Sequence, residues 1–187
     1  MQRREFDHLG RIHRSGTNVR RVQRAEIGSL LAFAGREIPV LSSAEKVVAK
    51  VINRNADSIW VFERGDSAVG IYAMLHLSRD GLEALLLGEL NAGDPDPCTL
   101  VPTGGTPAAI YKWAVVAPGP AIAGVCAMSR LLQADTFASA NLYARPTTPQ
   151  ARPLMAHLGF HDVRSGCPGL QRYVRIANRS GGLVGDR

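Results

Sequence analysis

The sequence predicts an α+β fold: a mixed, mostly antiparallel sheet flanked by helices. Three observations carry this. Two stretches of helical spacing come first, a strand hairpin follows, and then strand, helix, strand, helix and strand alternate to the end. The chain has 187 residues and a mass of 20.1 kDa, enough for one domain that buries roughly 70% of its extended surface on folding. Hydrophobic residues at 45% and charged residues at 20% exclude wholesale disorder. No apolar run reaches the ~18 residues of a membrane span. The start, Met1-Gln2-Arg3-Arg4-Glu5-Phe6-Asp7, has no apolar core of a secretory signal behind its basic residues. The cytoplasm is the expected location.

Residues 1–24 carry Arg3, Arg4, Arg11, Arg14, Arg20, Arg21 and Arg24 with His8 and His13, against only Glu5 and Asp7. With few large apolar residues to bury, this segment is expected to be a flexible basic arm able to touch an anionic surface such as nucleic acid. A single domain is expected over 25–177 and a flexible tail over 178–187. Within the domain, Ala25 to Arg36 and Ser43 to Asn53 have helical spacing, with Ser42 or Ser43 as cap of the second. Ser58 to Glu63 and Ala68 to Leu77 read as a hairpin joined by Arg64-Gly65-Asp66-Ser67. Ser78-Arg79-Asp80-Gly81 turns the chain again into Leu82 to Leu90, whose Ala and Leu content fits a strand or a helix.

Residues 91–107, with two Asp-Pro pairs and Pro102-Thr103-Gly104-Gly105-Thr106-Pro107, form a long loop of the kind that often carries function. Ala108 to Ala117 is a strong strand, stopped by Pro118-Gly119-Pro120. A small-residue helix over Ala121 to Ala134 and a strand over Ala138 to Ala144 follow. Thr147 or Thr148 caps a helix reaching Leu158, Gly159 closes it, and the last strand lies in Leu170 to Ile176.

Net charge is +6, and only Lys46, Lys50 and Lys112 among the 22 basic residues are lysines. Arginine pairs bidentately with phosphates and carboxylates, so anionic partners suit this composition. Cys98, Cys126 and Cys167 are widely spaced with no Cys-x-x-Cys pair, so neither a disulfide framework nor a metal site is expected.

Two stretches carry a resemblance. Thr148-Pro149-Gln150-Ala151-Arg152-Pro153-Leu154-Met155-Ala156-His157-Leu158-Gly159-Phe160 follows the strand Asn141-Leu142-Tyr143-Ala144. Val116 and Pro118 precede Ala121-Ile122-Ala123-Gly124-Val125-Cys126. Together these resemble the last helix and the pyrophosphate loop of the GCN5-related N-acetyltransferases (GNAT), which move acyl groups from coenzyme A to amines. Thr148 stands for the family's Asn, Met155 for its tyrosine, and Ala121 for the Arg or Gln that opens its loop. The resemblance implies acetyl-CoA or another acyl-CoA as co-substrate. Its pantetheine arm would bond backbone groups of Ala114, Val115 and Val116, and its diphosphate would meet N–H groups of Ala121, Ile122, Ala123, Gly124, Val125 and Cys126 at a helix start. Gly124 is expected to give the diphosphate its open approach.

Transfer to an amine needs a base, a polarised thioester carbonyl and a proton for the departing thiolate. Met155 cannot donate that proton, which leaves Tyr143 or His157. Glu83 and Glu89 share strand parity and are the candidate bases if Leu82 to Leu90 is a strand. Lys112 and Trp113 face opposite sides of the strong strand, and Lys112 would pair with Glu83 or Glu89 or contact substrate. Asp94 and Asp96 are candidates to receive a cationic amine, or are turn formers. The leading function is thus acyl-CoA-dependent N-acyl transfer to a small-molecule or protein amine. The alternatives are a catalytically degenerate acyl-CoA-binding relative and a nucleic-acid-associated regulator acting through the arginine arm.

Overall fold

A computed structural model describes residues 16–39, 44–149 and 151–175. A seven-stranded sheet runs through it in the order β1-β2-β3-β4-β5-β7-β6. The strands are β1 (Thr17–Arg21), β2 (Ile59–Arg64), β3 (Ser67–Leu77), β4 (Ala109–Val116), β5 (Asn141–Ala144), β6 (His161–Asp162) and β7 (Gln171–Tyr173). Every neighbouring pair is antiparallel except β4 and β5. The expected mixed, mostly antiparallel architecture is therefore present, with β4 at its centre. No described helix is long and apolar enough to cross a membrane.

β1 corrects the expected arm. Thr17 and Val19 are buried, Asn18 between them is exposed, and the strand pairs with β2 from Thr17↔Arg64 to Arg21↔Trp60. Arg20 donates to Glu26 at 2.7 and 2.5 Å and to Glu63 at 2.5 Å, while Arg21 is paired with Asp57. These charges are spent inside the fold. Residues 1–15 of the arm, the Ser42 and Ser43 caps and the 178–187 tail lie outside the described residues.

The first helices follow their apolar stripes. Ile27, Leu30, Leu31 and Ala34 are the buried face of α1 (Ile27–Ala34), and Val48 and Val51 that of α2 (Glu45–Arg54). Both helices close over Ile59, Val61, Ile71, Ala73 and Val116 of the sheet. Leu82 to Leu90 is resolved in favour of helix. In α3 (Arg79–Leu87), Ser78 caps the start by accepting from the Gly81 N–H at 3.1 Å, and Gly88 ends it at φ +81°.

On the opposite face lie α4 (Ile122–Leu131), the single turn α5 (Asp135–Ala138) and α6 (Ala151–His157). The core there is built from Phe62, Tyr72, Met74, Ile110, Met128 and Phe160 among others. Thr148 caps α6 by accepting from the Ala151 N–H at 3.2 Å, and Gly159 turns out of it at φ +89°. The loop over 91–107 is fastened to its neighbours. Leu100 bridges Leu77, the Val101 N–H donates to the His76 carbonyl at 2.9 Å, and Arg54 Nε donates to the Leu100 carbonyl at 2.9 Å.

Candidate functional site

Pairing between β4 and β5 begins at Ala109↔Asn141 and ends at Lys112↔Ala144. β4 continues to Val116 along β3, so its other edge, over 113–116, has no strand beside it among the described residues. A strand edge of this kind presents N–H and C=O groups to whatever lies alongside. The residues expected to hold a pantetheine arm, Ala114, Val115 and Val116, are on this stretch, and Val115 is exposed.

A bulge shapes the same stretch. Ala73 faces Ala114 and Met74 faces Lys112, which leaves Trp113 as one residue more on β4 than on β3. Trp113 turns toward α1 and α3 and donates its indole N–H to the Ala92 carbonyl at 2.8 Å. Below it, Ile110 belongs to the core on the α4 side. Above it, Ala114 and Val116 belong to the core under α1 and α2. They border an apolar cavity of about 40 Å³ that also touches Leu31, Val48 and Ile71.

Lys112 is the unusual side chain here. Its Nζ lies 4.6 Å from the centroid of the Phe160 ring and 6.0 Å from that of Tyr72. Both rings belong to the core on the α4 and α6 side, against which Met155 also packs. The expected ion pair with Glu83 or Glu89 is absent. Burial, and then the nearby Arg175 guanidinium, push its pKa down to about 8. Arg175 is half-buried, donating from Nη1 to the carbonyls of Leu132 and Phe137, the latter at 2.8 Å. Burial likewise raises the Tyr72 phenol above its ordinary range.

The other candidates are not gathered at the end of the β4–β5 pairing. Tyr143 is buried in the core beneath α3, packed with Leu75, Tyr111 and Leu170 on the sheet face opposite Lys112. Glu83 is exposed on α3 and Glu89 is exposed just past its end. The strand parity that paired these two does not apply to a helix. His157 is exposed in the last turn of α6. Asp94 is paired with Lys50, and Asp96 accepts from the Cys98 N–H at 2.8 Å as the cap of a 3₁₀ turn.

The helix-start loop is also different from its expectation. Ala121 and Gly124 are buried, and Gly124 faces Phe62 across the core. The N–H groups of Ala121 and Ile122 already donate to the carbonyls of Pro118 and Gly119. Ile122 and Cys126 are exposed, with Ala123 and Val125 half-buried beside them. The uncrowded glycine of this turn is instead Gly119, which is exposed at φ +53° with nothing within 4 Å of the place a Cβ would occupy. Its signal in the sequence was Pro118-Gly119-Pro120, where only glycine suits a left-handed turn between two prolines.

No family model and no curated protein matches the sequence. Among solved structures, one similar chain is described as the GphF GNAT-like decarboxylase in complex with isobutyryl-CoA. The TM-score is 0.54 at 15% identity, over 84% of this chain and 98% of that one. Another is PH1933 from Pyrococcus horikoshii OT3, with a TM-score of 0.48 at 16% identity, over 83% of this chain and 95% of that one. The sheet order, the β4 edge that outruns β5 and the match to the first of these chains lead to one statement: this chain has a GNAT-like fold.

Proposed function

We propose that this chain binds an acyl-CoA along the edge of β4 and passes the acyl group to an amine. The observation that carries the reading is the end of β4–β5 pairing at Lys112↔Ala144 while β4 runs on to Val116. That edge offers strand-type hydrogen bonds to an extended amide chain, and a pantetheine arm is such a chain. The isobutyryl-CoA in the complex of the GNAT-like decarboxylase supports the same ligand class. Ala114, Val115 and Val116 supply the edge. The turn at Gly119 and the exposed side of α4 over Ile122 to Cys126 supply the approach for the diphosphate.

A second reading, binding without transfer, is favoured by a specific observation. Met155 replaces the proton donor of the family resemblance, and Tyr143, Glu83 and Glu89 are dispersed over a core, a helix face and a helix end. Calorimetry of the full chain with acetyl-CoA tests the shared part, and saturable binding is expected. Release of free thiol in the presence of a panel of primary amines then separates the readings. Turnover supports transfer, and binding with no thiol release leaves a binding protein. Absence of binding by acetyl-CoA and by longer acyl-CoAs would overturn both.

A further inference from the structure

We infer that Lys112 is itself an acyl acceptor: its Nζ takes the acyl group from a bound acyl-CoA and keeps it as an amide. The inference rests on the acyl-CoA reading above and adds a modification site to it. Lys112↔Ala144 is the last pair between β4 and β5, so β5 stops an extended arm lying along 113–116 at this residue. The direction of the arm follows from its two ends. In that reading the diphosphate lies at the Gly119 turn and the start of α4, past the C-terminal end of β4. The thioester is then at the other end, beside Lys112. On the α3 side the space there is taken by Trp113, whose indole N–H is held by the Ala92 carbonyl at 2.8 Å. The acyl group therefore leaves the edge on the α4 and α6 side, where the Lys112 side chain stands half-buried.

The surroundings of Lys112 suit a nucleophile. Its Nζ lies 4.6 Å from the centroid of the Phe160 ring and 6.0 Å from that of Tyr72, and both rings share an apolar cluster with Ile110, Leu142 and Ala144. An apolar setting favours the neutral amine over the ammonium, and a desolvated lysine amine attacks carbonyl carbon. Residue type matters in a chain where only three of the 22 basic residues are lysines. An arginine at 112 would keep its charge at any working pH and could not attack. The step balances without a further reagent. The ammonium gives one proton to solvent, the nitrogen lone pair forms the C–N bond, and the C–S bond breaks. The thiolate leaves with that electron pair and takes a second proton from the nitrogen. An amide is a weaker acyl donor than a thioester, so the group stays on Lys112. Acylation also removes the charge from beside the two rings.

The experiment incubates the full chain with acetyl-CoA and follows acetylation by intact mass spectrometry, with peptide mapping of Lys46, Lys50 and Lys112. A single acetyl group at Lys112 is expected, added roughly tenfold or more faster than at the exposed Lys46. Its rate should saturate with acetyl-CoA and level off above about pH 8, instead of climbing toward the 10.5 of an ordinary lysine. Lys112→Arg should take up no acetyl group. Acetylation of Lys46 or Lys50 at the rate of Lys112, or a Lys112 rate that rises linearly without saturating, overturns the inference in favour of ordinary chemical reactivity. Calorimetric binding of acetyl-CoA with Lys112 left unmodified overturns it too, and leaves the acyl-CoA reading standing. Neither binding nor modification removes both readings together. Mapping on the wild-type chain decides even where the variant fails to fold.

Discussion

Gly124 of α4 and Phe62 of β2 are in contact that only a glycine permits: a Cβ on Gly124 would stand 2.3, 2.5 and 2.6 Å from three ring carbons of Phe62. The same ring is crowded from β3, where a Cβ on Gly70 would meet Phe62 Cδ2 at 2.7 Å. Helix and sheet therefore approach through a flat ring seated between two glycines. Gly124→Ala gains up to ~1 kcal/mol in helix propensity and loses more by overpacking, about 1–3 kcal/mol. Urea unfolding should show net destabilisation, and adding Phe62→Leu should recover part of it. A Gly124→Ala protein as stable as wild type would refute the contact.

Gly119→Val tests the proposed approach for the diphosphate without touching the core. The position is exposed and open, so the fold should survive with a loss of about 1 kcal/mol for placing a β-branched residue at positive φ. Acetyl-CoA affinity measured by calorimetry is expected to fall by roughly tenfold or more, because the side chain fills the approach to the diphosphate. Unchanged affinity would place the diphosphate elsewhere.

β1 gives a prediction about the N-terminal boundary. Val19 is 7% exposed and packs in the core with Trp60 and Phe62. Val19→Ala should reduce unfolding free energy by about 1–2 kcal/mol. A chain starting at residue 23 should lose far more, since it also gives up the β1–β2 ladder and the pairs of Arg20 and Arg21. A melting temperature that ignores both changes would mean β1 adds nothing to the fold.

Lys112 makes stability depend on alkaline pH. Its pKa of about 8 in the folded chain lies below the 10.5 of an exposed lysine. Below pH 8 the folded state carries a charge it holds poorly; between 8 and 10.5 it gives up the proton before the unfolded state does, and the penalty is relieved. Lys112→Met should therefore be more stable than wild type at pH 7, by about 1–3 kcal/mol after the ring contacts are lost. The gap should narrow as pH rises from 8 to 9.5. A gap that is constant with pH would contradict the depressed value.

His76 acts at the acid end. It is buried, Asn55 Nδ2 donates to its Nδ1 at 2.8 Å, and burial pushes its pKa down to about 4 from 6.5. Its contribution is intact above pH 6.5 and is lost as pH falls toward 4, because the unfolded chain takes the proton first. Relative to His76→Gln, wild type should lose up to ~3 kcal/mol across that window. Parallel stability profiles for the two proteins would show that the imidazole titrates alike in the folded and unfolded chain, against the depressed value.

Much of the fold was legible because its central elements are locally self-consistent. Ala109 to Val116 is rich in the β-branched and aromatic residues that favour strands, Gly65 sits where a two-residue turn needs positive φ, and Thr148 and Gly159 bracket α6. β1 was hidden because its stabilising partners, Glu63 and Asp57, are some forty residues away and its own alternation is only five residues long. In α3, Ser78 and Gly88 were visible, but a serine and a glycine mark turns as readily as caps, and Leu and Ala do not choose between the periods. The site was less legible than the fold. A sequence shows that Gly124 is small without showing which way it faces. It shows Lys112 as out of place in a strand without showing the rings around it.

The bulge at Trp113 separates two chemistries that a regular strand would merge. Side chains alternate along β4, so without the additional residue a neighbour two positions from Lys112 would share its face. With it, Ala114 belongs to the apolar cavity under α1 and α2 while Lys112 stays with the Phe160 and Tyr72 rings on the other side. The strand thus changes phase at one residue, and its polar and apolar surfaces can vary independently on either side of that point. Pairing Trp113 into the ladder with no bulge would restore a single phase and exchange the faces of everything from Ala114 to Val116 with the composition untouched. Reading frame along the strand, more than residue type, decides what a ligand meets there.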